Sequence, residues 1–134
     1  MTHPPPRELE TVPNPSTGRR YGVRMVAPEF TCVCPRTGQP DFATIVVEYI
    51  PGPRIVELKS LKLYLWSWRG EGIFHEEVVN RILDDLSSAA EPEWMRVTGL
   101  FRVRGGITTS VAAHTSPPPA DRPEFADIPE DAVR

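Results

Sequence analysis

Cys34 and Asp41 lie seven positions apart in "FTCVCPRTGQPDF", residues 30–42, and the only other cysteine, Cys32, stands two positions before Cys34. A thiol becomes a nucleophile as its thiolate, which needs a nearby cation or proton acceptor. Pro35 pushes Cys34 towards an extended conformation, and "TGQP" marks a turn. Cys34 is therefore expected on a loop, beside a strand that begins with Asp41, so that the acid can fold back onto the thiol. Cys32 has none of these features. It is read as a small buried hydrophobe, the usual state of a free cysteine. A one-residue spacer would make a Cys32–Cys34 disulfide strained. Zinc needs three or four N/S ligands, and His3, His75 and His114 offer no recognised spacing. "HEEVVNR" also lacks the second histidine of His-Glu-x-x-His, so no metal site is expected.

His75 and Glu76 open a predicted helix, "FHEEVVNRILDDLSSAAEP". Carboxylates are favoured in a first turn, where free backbone N–H groups make the helix end positive. The same position can aim a proton donor and a hydrogen-bond acceptor into a cleft. A carboxylate there suits the N–H/NH₂ edge of a guanine-like base. In "ELKSLK", Lys59 and Lys62 share a helix face with Trp66. That pattern reads either as a solvated basic edge or as a two-lysine phosphate cradle beside an aromatic platform. There is no G-x-G-x-x-G, so a dinucleotide would not be held by a Rossmann turn.

The elements that must position these residues follow from periodicity. "DFATIVVEYI", residues 41–50, is β-branched and aromatic and ends at "PGPR", which predicts a strand. Leu58, Leu61, Leu65 and Trp68 fall within one arc of a helix that Gly70 and Gly72 end. Val78, Val79, Ile82, Leu83 and Leu86 form the stripe of a second helix, stopped by Pro92. "WMRVTGLFRVRGGITTSVAAHT" predicts two strands broken at Gly105–Gly106, and a further strand is expected near residues 21–27. The sum is an α+β fold, an antiparallel sheet with two helices packed on one face.

The chain has 134 residues and sixteen prolines. Residues 1–20 and 116–134 are Pro-rich and polar, and read as tails or as arms that order on a neighbour. The folded domain is expected over residues 21–115, small enough for oligomerisation to help stabilise it. A net charge of −3 argues against a broad nucleic-acid or membrane footprint. No apolar run approaches the ~20 residues of a membrane span, and no signal pattern opens the chain. A cytoplasmic protein is expected.

Taken together, "LETVPNP", "PEFTCVCPRTGQPDFATI", "YIPGPRIVELKSLKLYLWSWR", "GIFHEEVVNRILDDL" and "RVRGGI" resemble the QueF family of NADPH-dependent nitrile reductases, and its tunnelling-fold (T-fold) superfamily. The signature E-(S/L)-K-(S/A)-x-K-(L/Y)-(Y/F/W) runs complete from Glu57 to Tyr64. The resemblance implies reduction of the nitrile of 7-cyano-7-deazaguanine to an aminomethyl group, with NADPH, in queuosine (tRNA modification) biosynthesis. It implies Cys34 as the nucleophile that forms a covalent thioimide, with Asp41 and His75 in proton transfer. It further implies Glu76, Glu57 and Phe74 at the deazaguanine, and Lys59, Ser60, Lys62 and Arg104 at NADPH. Partners would be the small molecule and further copies of the chain. The assembly implied is a homo-oligomer with intersubunit active sites, such as a decamer of two stacked pentamers, without direct nucleic-acid or membrane contact. An amidinotransferase that uses the same thioimide is the nearest rival, and a non-catalytic nucleobase-binding T-fold module the next.

Overall fold

The computed structural model describes residues 7–132. His3 and the outermost residues of both predicted tails lie outside that range. Strands β1 (Thr11–Pro13), β2 (Val23–Val33), β3 (Pro40–Ile50) and β4 (Arg54–Val56) precede helices α1 (Leu58–Trp66) and α2 (His75–Ala90). Strands β5 (Trp94–Arg104) and β6 (Ile107–His114) follow. The main sheet is antiparallel in the order β2-β3-β5-β6, and β1 pairs with β4 in a separate ribbon. This is the expected α+β arrangement.

Strand alternation divides the sheet into two faces. Asp41, Ala43, Ile45, Val47 and Tyr49 of β3 sit on one face with Met95, Val97 and Phe101 of β5, and all but Asp41 belong to the main core. The α2 stripe Val78, Val79, Ile82, Leu83 and Leu86 closes that core, as its helical spacing predicts. Ile50 and Trp94 point the other way and form a separate cluster with Phe125. On β2 a register shift falls between Ala27 and Phe30. It follows Pro28, which has no N–H to give to a ladder, so the strand bulges there. The extra residue changes the parity of β2. Val23, Met25 and Ala27 face the core before it, and Phe30 and Cys32 face the core after it.

Three expectations are corrected. The strand foreseen near residues 21–27 runs on to Val33, because the bulge lets it continue past Pro28. Leu58 is 64% exposed, and Tyr64 takes the buried place on α1 beside Leu61 and Leu65. Trp68 is buried but lies beyond the end of α1.

The described parts of the two predicted tails lie on this chain's own core. Arg7 stacks 3.6 Å above the Trp68 ring, and the buried Asn14 donates to the Gly52 carbonyl at 2.9 Å. At the other end Phe125 packs on Trp94, with ring centroids 4.9 Å apart. The Trp94 indole N–H donates to the Ser116 carbonyl at 2.8 Å, and Arg96 Nη2 to that of Asp127 at 2.8 Å. On each side one large aromatic contact and side-chain hydrogen bonds to backbone carbonyls together hold the segment.

Candidate active site

Cys34 is the first residue past β2, at the mouth of a tight loop that returns the chain to β3. The Cys34 N–H donates to the Gln39 carbonyl at 2.8 Å, and the Gly38 N–H to the Cys34 carbonyl at 2.9 Å. Gly38 has φ 75°, a left-handed conformation that side chains other than glycine's resist. The loop delivers Asp41 onto β3 directly across the ladder from Cys32. Cys32 is fully buried. Burial, with Asp41 and Cys34 nearby, pushes its thiol up to about 12, so it stays protonated and inert. The packing role read from its sequence context is what the structure shows.

Cys34 is half-buried and its thiol is held down at about 7. The Thr37 hydroxyl contributes most to that, followed by the backbone N–H groups of Arg36 and Thr37 and by the charge of Arg104. Its surroundings therefore favour the thiolate near neutral pH, where an ordinary cysteine would be a few per cent thiolate.

Asp41 is 6% exposed and both its oxygens are engaged. Arg104 Nη1 donates to Oδ1, and His75 Nε2 lies 3.2 Å from Oδ2. His75 is placed by the loop ahead of α2. That loop docks on the end of β2 through Val33 N–H to the Glu71 carbonyl at 2.9 Å and Ile73 N–H to the Val33 carbonyl at 3.0 Å. The imidazole then stacks on Phe101 at 3.7 Å with 9° between planes. Such stacking leaves the ring edge, with its nitrogens, directed at Asp41. Arg104 reaches the cluster because β5 shifts register between Phe101 and Arg104, ahead of a turn in which Gly105 and Gly106 both have positive φ. One guanidinium thus hydrogen-bonds Asp41 and carries its positive charge close to Cys34.

The structure therefore gathers Cys34, Asp41, His75 and Arg104. Two further residues were missed by the sequence reading. Thr37 Oγ1 and Gln39 Oε1 accept from Arg104 Nη2 at 2.8 and 2.6 Å. The only sequence signal for them is their place in the turn between the cysteine and the acid. Phe74 is 52% exposed and caps α2 by backbone alone, next to the exposed Glu76.

The α1 residues form a second group. Glu57 is the N-cap of α1 and accepts from the Lys59 and Ser60 N–H groups, each at 2.8 Å. These bonds lower its carboxyl below the usual range. Ser60 is buried, and its hydroxyl accepts from the Glu10 N–H at 2.9 Å and donates to the Glu57 carbonyl at 2.9 Å. In this chain Ser60 ties the amino-terminal segment to α1. Lys59 and Lys62 are exposed, and neither enters an ion pair among the described residues. Lys62, Trp66 and Arg69 border a groove of about 590 Å³ between α1 and β2, walled by Met25, Leu61 and Leu65. Among the described residues no hydrogen bond or ion pair links α1 to the Cys34 cluster.

Residues 40–120 match the model of a family described as "QueF-like protein". The chain is 61% identical to the NADPH-dependent 7-cyano-7-deazaguanine reductase of Thiobacillus denitrificans over 84% of this chain and 81% of that one. It is 55% identical to the protein of that name from Nitrosococcus oceani, over 96% of this chain and all of the other. A solved structure, the archaeosine synthase QueF-Like in the apo form, superimposes with a TM-score of 0.64 at 26% identity, over 75% of this chain and 96% of its own. The α+β architecture is accordingly that of the tunnelling fold, and the chain belongs to the QueF-like family.

Proposed function

We propose that this chain is an NADPH-dependent 7-cyano-7-deazaguanine reductase, an oxidoreductase that converts the nitrile to the primary amine for queuosine biosynthesis. The observation that carries the chemistry is a loop cysteine beside an arginine that also holds a buried, histidine-paired carboxylate, in surroundings that favour its thiolate. The Cys34 thiolate adds to the nitrile carbon. A carbon–sulfur bond forms, one carbon–nitrogen π bond breaks, and the nitrogen takes a proton from the Asp41–His75 pair. The product is a thioimide, whose sp² carbon accepts hydride far more readily than a nitrile does. Phe101 fixes the His75 plane and Asp41 fixes its edge, so the proton is held at a defined atom, Nε2. Phe74 and Glu76, exposed at the start of α2, would meet the deazaguanine ring and its N–H/NH₂ edge.

The donor set on α1 fits NADPH. Lys59 and Lys62 offer exposed ammonium groups for phosphates, and Trp66 and the apolar wall of the groove suit a planar ring. When bound, NADPH supplies the hydride equivalents. Ser60 would act at one remove, by fixing the start of α1. Glu57 would likewise act through the helix cap in an isolated chain.

The active sites are proposed to lie between copies of the chain. The Lys59–Lys62 face and the Cys34 cluster are separate within one copy, while β2 and β6 are the two edges of the main sheet, and among the described residues β2 carries on its outer side only the short bridge from Val33 to Gly72. Val26, Trp66, Val103 and Ile107 are exposed apolar side chains near those edges and the hairpin between β5 and β6. No helix is long and apolar enough to cross a membrane among the described residues, and the proposed location is the cytoplasm.

The test is stoichiometric, since nitrile to amine is a four-electron reduction. Purified protein given 7-cyano-7-deazaguanine and NADPH should oxidise two NADPH per aminomethyl product. Product formed from an added amine without NADPH oxidation would replace this reading with the amidinotransferase.

A further inference from the structure

We propose that Thr37 and Arg104 together hold the Cys34 thiolate, with Arg104 fixing the direction of the Thr37 hydroxyl. The argument is an account of one oxygen. A threonine hydroxyl has one proton to donate and two lone-pair sites. Thr37 Oγ1 accepts from Arg104 Nη2 at 2.8 Å and from the Gln39 N–H at 3.3 Å. Neither partner can accept in return, because a guanidinium and an amide N–H are donors only. Both lone-pair sites are filled, so the hydroxyl has only its proton to offer, and the acceptor assigned to it is the sulfur of Cys34, three residues back in the same closed loop.

The other donors to the sulfur are the backbone N–H groups of Arg36 and Thr37. Successive N–H groups in a turn make a small anion-binding concavity. The oriented hydroxyl completes it. A free hydroxyl could accept from a neutral S–H as readily as donate to a thiolate. A hydroxyl whose lone pairs are occupied can only donate, so it discriminates between the two protonation states.

Arg104 also donates to Asp41 Oδ1 and to Gln39 Oε1. It therefore sets loop, acid and hydroxyl in register at once. Asp41 and His75 then need not act as the base for the thiol, and their proton remains for the substrate nitrogen. Thr37 and Arg104 are positioning residues in this scheme. It rests on Cys34 being the nucleophile of the proposed reaction, but its test needs neither substrate nor cofactor.

The full chain is alkylated with iodoacetamide across a range of pH, and the modified Cys34 peptide is quantified by mass. The midpoint is read in preference to the rate, because a more basic thiolate is intrinsically more nucleophilic. The native midpoint should lie near 7. Thr37→Val keeps the shape but removes the hydroxyl, and should raise the midpoint by about one pH unit. Thr37→Ser should restore it. Arg104→Met should raise it as well, both by removing a nearby positive charge and because the hydroxyl can then turn away, so the double variant with Thr37→Val should rise by less than the sum of the two single shifts.

A native midpoint in Thr37→Val, or a raised one in Thr37→Ser, overturns the role of the hydroxyl. A native midpoint in Arg104→Met, or fully additive shifts in the double variant, overturns its orientation by Arg104. Thr37 is an exposed loop residue, and the Ser and Met variants decide the matter even if the valine variant misfolds. If Cys34→Ala retains reductase activity, the functional reading fails while the midpoint shifts still stand. If Cys34→Ala is inactive and the midpoints do not move, only the holder fails.

Discussion

Strand β3 carries two buried carboxylates, Asp41 and Glu48, and each is held by an arginine from β5. They are seven positions apart, an odd number, so they face opposite sides of the sheet. Glu48 is fully buried and saturated. Arg96 Nε donates to one oxygen at 3.0 Å, and Arg24 Nε and Nη2 to the other at 3.0 and 2.8 Å. Both arginines also donate to backbone carbonyls of the carboxy-terminal segment, at Glu124 and Asp127. Asp41 has one arginine, one histidine and an ionisable thiol within reach of the same guanidinium. One site is closed, with every carboxylate oxygen bonded to an arginine. The other contains groups that can exchange protons and lies at an accessible loop. The same ion-pair chemistry thus makes a fastening on one face and, in the proposed function, a reaction centre on the other.

If that contrast is right, the two carboxylates should fail in different ways. Asp41→Asn should cost about 10²–10⁴-fold in kcat, read from NADPH oxidation. Its melting temperature should move little, because Arg104 is a third exposed and water can take over its bonds. Glu48→Gln should do the reverse. It leaves Arg96, 1% exposed, without its counter-charge, and should lose about 3–5 kcal/mol in denaturant unfolding. Activity per folded molecule should be kept. Equal effects of both substitutions on both readouts would dissolve the distinction.

Phe125→Ala sharpens the contrast at the same face. Its ring is 3% exposed and closes over Trp94, so its loss should cost on the order of 3 kcal/mol without changing the pH dependence of Cys34 alkylation. A shift in that pH dependence would mean that the two faces communicate. Cys32→Ala should have the smallest effect, about 1 kcal/mol from a deleted buried sulfur, with activity per folded molecule retained.

The reactive cluster was unusually legible in the sequence. Pro35, the turn and Asp41 place Cys34 on a loop before a strand, and His75 opens a helix whose apolar stripe is unmistakable. Arg104 was harder to read. Its partner depends on a register shift after Phe101 that strand alternation alone does not reveal. Thr37 was invisible, since an exposed threonine in a turn carries no periodic signal. Leu58 fitted a helical arc but lies where the groove opens, because a nine-residue helix buries only part of its stripe. The terminal segments misled for a physical reason. Proline-rich composition predicts little burial on average, yet Phe125 and Arg7 each find one aromatic partner. Glu57 and Ser60 were read for ligand chemistry, and their local bonds build the start of α1.

The central claim is that Cys34 is the nucleophile. The direct test is to mix the protein with 7-cyano-7-deazaguanine without NADPH, and to look for a mass adduct and a new absorbance band. The account predicts a one-to-one adduct on the Cys34 peptide, formed faster as pH rises through about 7, where the thiolate accumulates. An adduct of the same mass in Cys34→Ala, or none in the native chain that nevertheless turns over, would contradict it.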